Sequence, residues 1–173
     1  MALVGSASTR LVIIRGDAAS GKTTTSIALR PRLGPRVALI HQDHVRREVL
    51  HNLDRRQRSY DASVMIVAAA RQALDLGHDV ILDGIFNLRD YAGPFELLHG
   101  EHRGTTRFYQ FDVGLDETLR RHAARPLANV VGEDKIREWH DGWQPLPWYE
   151  EHRIGAESST DDIVDTILQD LGP

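Results

Sequence analysis

Residues 16–23 read Gly-Asp-Ala-Ala-Ser-Gly-Lys-Thr, a G-x-x-x-x-G-K-[ST] spacing that tolerates very few folds. Leu11-Val-Ile-Ile-Arg15 precedes it, a β-branched run of the kind that forms a buried strand. Thr24-Thr-Ser-Ile-Ala-Leu-Arg30 follows and has helix-compatible composition. Strand, glycine loop and helix in that order define a phosphate-binding loop. Its backbone N–H groups wrap phosphates, and the helix dipole adds positive potential. The expected contacts span Gly16, Asp17, Ala18, Ala19, Ser20, Gly21, Lys22, Thr23 and Thr24. Lys22 is expected on the β and γ oxygens and the Thr23 hydroxyl on Mg²⁺.

The basic residues support this. Of 21 Lys and Arg, only Lys22 and Lys135 are lysine. A chain that otherwise uses arginine keeps lysine where a compact ammonium on a flexible stem is needed.

The pattern along the chain alternates strand and helix. Strands are predicted at about 10–15, Val37–His41, Asp79–Asp83, Thr106–Phe111 and near Arg153-Ile154. Helices are predicted at about 22–33, Asp43–Leu53, Ser59–Leu76, Tyr91–Arg103, Asp116–Arg125, Asp134–Gly142 and Ser159–Leu171. Gly77 fits a helix C-terminus, and Ser159-Thr-Asp-Asp162 a helix start. The centre of the third helix, Val64–Ala70, is apolar most of the way round and predicts deep packing. This alternation predicts an α/β fold in three layers, a parallel sheet between helices. The expected organisation is a flexible tail over 1–9 and one domain over 10–173, with a short lid over about 126–133.

Ligands in such sheets bind beyond the carboxyl ends of the strands. Asp43 follows strand 2, where a carboxylate can take the proton of a substrate hydroxyl, hold Mg²⁺, or simply cap a helix. Asp83 closes Val80-Ile-Leu-Asp83 and is expected to hold Mg²⁺ or a substrate hydroxyl. Arg121 and Arg125 share a helix face ahead of the lid and are candidates for neutralising a transferring phosphoryl group. Spacing does not decide whether Arg120 or Arg121 points inward. Arg46, Arg47 and Arg89 are candidate substrate contacts. Trp139, Trp143, Trp148 and Tyr149 either roof an acceptor pocket or pack.

The chain has no cysteine, which removes disulfides, thiolate chemistry and Cys-based zinc sites and fits a cytoplasmic setting. Its nine histidines form no metal motif, and no apolar run approaches a membrane span. Met1–Thr9 lacks the features of a signal peptide. Residues 1–90 carry a net charge of +4 and residues 91–173 a net of −8. The basic half holds the loop, while the overall −4 disfavours a general nucleic-acid binder.

With these residues placed, the chain resembles a small kinase of the adenylate-kinase-like superfamily. It is similar to the chloramphenicol phosphotransferase, gluconate kinase and zeta-toxin group over about residues 10–171. The resemblance implies a five-stranded sheet in the order 2-3-1-4-5 and Asp43 as general base. It also implies adenine near Arg121, Arg125 and residues 155–158. The expected activity is transfer of the γ-phosphoryl of ATP, with Mg²⁺, to the hydroxyl of a small molecule such as a sugar, nucleoside or antibiotic-like alcohol. A nucleotide-hydrolysing switch acting through a protein partner and a nucleic-acid 5′-hydroxyl kinase are the alternatives. Against the first stands the lack of an Asn-Lys-x-Asp element, and against the second the acidic second half.

Overall fold

Leu11, Val12, Ile13 and Ile14 are all fully buried, which requires a strand covered on both faces. In the computed structural model, which describes residues 3–52, 59–124 and 131–172, they form the centre of β1 (Arg10–Gly16). Its neighbours are β3 (Asp79–Gly84) and β4 (Thr105–Phe111). β2 (Val37–His41) pairs with β3 and β5 (His152–Ile154) with β4. Every pairing is parallel, and the order is 2-3-1-4-5.

The period of two along the strands divides the core into two layers. Leu11, Ile13, Val80, Leu82 and Phe108 face α3 (Tyr60–Asp75) and α4 (Leu88–Glu101). Val12, Ile14, Ile81, Tyr109 and Phe111 face α1 (Lys22–Leu33) and α7 (Thr160–Leu171). α2 (Gln42–His44), α5 (Leu115–Ala123) and α6 (Glu133–Glu138) are short elements at or near the strand ends.

Several expectations are revised. Residues 3–9 are not a loose tail. Val4 is buried in the core, its N–H donates to the Glu101 carbonyl at 2.9 Å, and its carbonyl accepts from Arg103 at 3.0 Å. A bridge to His102 and the Gly5 N–H bond to Asp75 at 2.7 Å also dock this segment. The helix expected from Asp43 to Leu53 is α-helical only over Gln42–His44 and continues as a π turn over Val45–Val49. The wider turn re-aims side chains, and it leaves Arg46 buried. Leu53, the expected end of that helix, lies outside the described residues.

α3 buries only Ala62, Ser63, Ile66, Val67, Ala70 and Leu74, and leaves Val64 and Met65 exposed. Its apolar circumference therefore exceeds what packs. α4 starts three residues earlier than predicted because Asn87 caps it, accepting the Asp90 N–H at 3.0 Å. α6 is shorter than predicted, since the chain leaves the helix before Gly142, which sits at φ +68°. At α7 the predicted cap is present, with the Ser159 side chain accepting the Asp162 N–H at 3.1 Å.

Candidate active site

The strands end together. In register, Ile14 faces Asp83, Asp83 faces His41, and Gly16 faces Phe111. From this edge the Gly16–Thr23 loop turns into α1. Gly16 sits at φ +140°, and a Cβ there would lie 2.6 Å from the Phe111 carbonyl oxygen. Only glycine lets the loop leave the sheet so close to β4. The Ser20 hydroxyl donates to the Asp17 carbonyl at 2.8 Å, and Lys22 Nζ donates to the same carbonyl at 2.5 Å. Lys22 is 7% exposed, held inside the loop.

α1 opens on Gly21 with no side-chain cap and no acidic residue in its first turn. The N–H groups of that turn lack partners within the helix, so its start is electropositive and suited to an anion.

Two adjacent cavities open at this edge of the sheet, one of them over the loop. One, of about 310 Å³, is lined by Ala18, Lys22, Thr23, His41, Asp43 and Asp83 among others. The second, of about 370 Å³, is lined by Arg46, Asn87, Arg89, Glu138, Asp141 and Gln144 among others. They share Gln42, Ile85 and Trp139.

Asp83 is 2% exposed. Its Oδ2 accepts the Ser26 hydroxyl at 3.2 Å and lies 2.9 Å from His41 Nδ1. Its Oδ1 is buried with no hydrogen-bond partner among the described residues. Leaving such an oxygen unpartnered is costly, so its natural complement is a cation or a hydrated cation. Thr23 lines the same cavity, and together these groups suit Mg²⁺.

Gly84 and Gln42 interlock behind them. A Cβ on Gly84 would meet Gln42 Cβ at 2.5 Å, and Gln42 Oε1 accepts the Ile85 N–H at 2.9 Å. The loop then passes through Phe86, a buried residue at φ +46°. Its ring packs 4.9 Å from Tyr91 and 5.0 Å from Phe95, which holds the unusual backbone in place.

Asp43 lines the loop-side cavity, with Arg47 Nε 3.9 Å from its Oδ1. Arg46, 3% exposed, and Arg89 line the second cavity instead. Arg89 forks onto Asp90, with contacts of 3.1 and 2.9 Å. Burial raises the Asp90 carboxyl, but the Arg89 fork and the Ser59 N–H outweigh this and bring it down to about 2.

Between the two arginines that spacing left open, it is Arg121 that points inward. Arg120 is exposed and pairs with Glu117. Arg121 donates to Glu117 at 2.6 Å, to the Ser20 carbonyl at 3.0 Å and to the Ala156 carbonyl at 2.8 Å. The two arginines hold Glu117 down at about 2. Arg121 thus braces the phosphate loop against the segment after β5. Arg125 and most of the expected lid lie outside the described residues.

The aromatic segment divides. Trp139 lines both cavities. Trp148 stacks on His99 at 6.0 Å, Tyr149 packs on Phe108 at 4.6 Å, and Trp143 carries the Arg153 guanidinium at 5.1 Å. Among the described residues no group of three or more His, Asp or Glu side chains is placed to hold a metal ion by itself.

Sequence reasoning missed three supports. Arg15 and Glu151 form a buried pair, 3.6 Å apart, and Arg15 also donates to Gln110 and to the Gln144 carbonyl. Burial lowers Arg15 and raises Glu151, and each charge opposes the other's shift. No local pattern signals a pair so distant in sequence. His41 was counted only as the end of a strand, and Asn87 carried the legible signal Asn-x-x-Asp.

The chain matches the AAA domain family over residues 11–146. No curated protein matches it. Among solved structures it is similar to the Mycobacterium tuberculosis APS kinase CysC in complex with AMPPNP and APS, with a TM-score of 0.77 and 17% identity over 99% of both chains. A putative kinase from Chloroflexus aurantiacus superposes with a TM-score of 0.74 and 22% identity, covering 95% of this chain and 97% of that one. A gluconokinase from Sinorhizobium meliloti gives 0.67 and 14%, covering 99% and 93%. Among the described residues no helix is long and apolar enough to cross a membrane. The chain therefore belongs to the AAA domain family, on the P-loop fold that small-molecule kinases share.

Proposed function

We propose that the protein is a phosphotransferase that moves the γ-phosphoryl group of ATP to a hydroxyl of a small molecule in the cytoplasm, with Asp43 as general base. The observation that carries this reading is the composition of one cavity. Lys22 and Thr23 of the phosphate loop, Asp83 and Asp43 line it together, and it adjoins a second cavity of acceptor size.

In this reading the loop N–H groups and Lys22 hold the β and γ phosphates. Thr23 and the Asp83 Oδ1 would hold Mg²⁺, which when bound neutralises phosphate charge. Asp43 orients the acceptor hydroxyl toward the γ phosphorus and takes its proton. The hydroxyl oxygen bonds to phosphorus, the bond to the β-bridging oxygen breaks, and its electron pair leaves with ADP. The inward arginine, Arg121, keeps the loop rigid, which matters because phosphoryl transfer depends on positioning.

The acceptor occupies the second cavity, with Trp139 as a flat wall and Arg46 and Arg89 as polar contacts, while Arg47 reaches it from the loop-side cavity beside Asp43. The test is a panel of alcohols incubated with ATP and Mg²⁺, read as ADP release above the hydrolysis background. An acceptor-dependent rate that disappears in Lys22→Ala supports the reading. Release that no acceptor raises, from a protein that binds ATP, contradicts it.

A further inference from the structure

One residue ties the phosphate loop to a wall of the second cavity in a way the reaction scheme does not require. Asp17 is the second residue of the phosphate loop and is 5% exposed. Its carbonyl oxygen accepts both Lys22 Nζ and the Ser20 hydroxyl. Its carboxylate is turned to another part of the chain. Oδ1 accepts the Asp141 N–H at 3.0 Å, Oδ2 accepts the Gly142 N–H at 2.8 Å, and His140 Nδ1 lies 3.1 Å from Oδ2. Three consecutive residues thus converge on one buried carboxylate. Bonds from an ionised acceptor to two backbone donors are stronger and more geometrically defined than neutral ones.

The segment it holds is the far wall of the second cavity. Trp139 directly precedes it, and Asp141 and Gln144 line the cavity. Further ties come from the same corner of the sheet. Gln110 Nε2 donates to the Gly142 carbonyl at 3.1 Å, and Arg15 donates to the Gln144 carbonyl. Gly142 takes its left-handed conformation between these anchors.

We propose that Asp17 is a positioning residue that couples phosphate occupancy of the loop to the order of the acceptor wall at 139–144. It rests on the kinase reading only for the identity of the nucleotide and of the acceptor cavity. The backbone of Asp17 shares hydrogen bonds with Lys22, the group that must engage phosphate. Its side chain holds the wall. When Lys22 exchanges the Asp17 carbonyl for phosphate oxygens, the peptide bearing the carboxylate settles against the bound anion. The wall amides are then held more firmly. Two sites joined through one rigid residue are coupled thermodynamically in both directions.

Residue-resolved hydrogen exchange tests this, with Mg²⁺ and AMPPNP as the probe and AMPPNP affinity measured in parallel by calorimetry. In the free protein Asp17→Asn, which keeps shape but loses one acceptor, should speed exchange at the Asp141 and Gly142 amides by roughly tenfold. The Leu146 amide, held by Glu151 at 2.8 Å, should not change. In the unsubstituted protein AMPPNP should slow the two wall amides by roughly threefold or more. In Asp17→Asn at matched saturation that response should vanish. His140→Ala, which spares both backbone bonds, should retain it. An equal nucleotide response in Asp17→Asn overturns the coupling, as does unchanged exchange in the free variant. Failure of the unsubstituted protein to bind AMPPNP overturns the nucleotide reading and the coupling together, so the two failures are told apart.

Discussion

Arg121 Nη1 donates to the Ser20 carbonyl at 3.0 Å, so α5 grips the phosphate loop from outside. The same guanidinium reaches the Ala156 carbonyl, whereas among the described residues its neighbour Arg120 pairs with Glu117 alone. Removing the brace should therefore loosen the loop and the segment after β5 together. Arg121→Ala is expected to weaken AMPPNP binding by about tenfold, or about 1.4 kcal/mol. Arg120→Ala should leave folding stability and AMPPNP affinity essentially unchanged, as the loss of an exposed pair usually does. Calorimetric titration and urea unfolding of both variants check this. Equal effects would contradict the assignment of Arg121 as the inward residue.

Gly84 stands where β3 ends, against Gln42. Any side chain there collides with Gln42 Cβ and with Phe86, which are themselves packed. Gly84→Ala should cost about 1–3 kcal/mol through overpacking. The displacement of Gln42 should also disturb both cavities, which it lines. Urea unfolding reads the first effect. A Gly84→Ala protein as stable as the parent would show that the strand ends yield more easily than their packing implies.

Asp90 gives a pH prediction with a definite sign. Its folded carboxyl sits at about 2, below the ordinary 3.8. A depressed carboxyl contributes stability that is fully present above its unfolded value. That contribution is lost as pH falls through the folded one. The loss therefore runs from about pH 4 to about pH 2. Asp90→Asn should be destabilised by about 1–3 kcal/mol at neutral pH, because it leaves the Ser59 N–H and the Arg89 fork without a charged acceptor. The gap between variant and parent should shrink as pH approaches 2. Unfolding midpoints measured across that range decide it, and a pH-independent gap would contradict the assignment.

What the sequence made legible follows from how local each signal is. The Gly16–Thr23 spacing, the apolar run of β1 and the alternation of elements are local, and they suffice for the parallel sheet and its binding edge. That Asp43 and Asp83 share a cavity with the loop follows from their places at strand ends. Buried partners distant in sequence left no such trace. The Arg15 and Glu151 pair and the Asp17 tie to Gly142 are 136 and 125 residues apart and appear only when β1, β4 and the 140–144 segment are assembled. The π turn that buries Arg46 and the docking of Val4 were misread for a related reason. A short apolar or helical pattern reports propensity, while tertiary contacts decide the geometry. The choice between Arg120 and Arg121 was likewise a question of helix phase, settled by the Ser20 and Ala156 carbonyls.

Asp43 is proposed as the base for an acceptor seated beside the phosphate loop. Its most direct test is Asp43→Asn, assayed with ATP, Mg²⁺ and an acceptor found by the alcohol panel. AMPPNP affinity should stay within about threefold of the parent, while kcat for transfer should fall by roughly 10²–10⁴. Turnover equal to the parent, with nucleotide binding intact, would contradict the account.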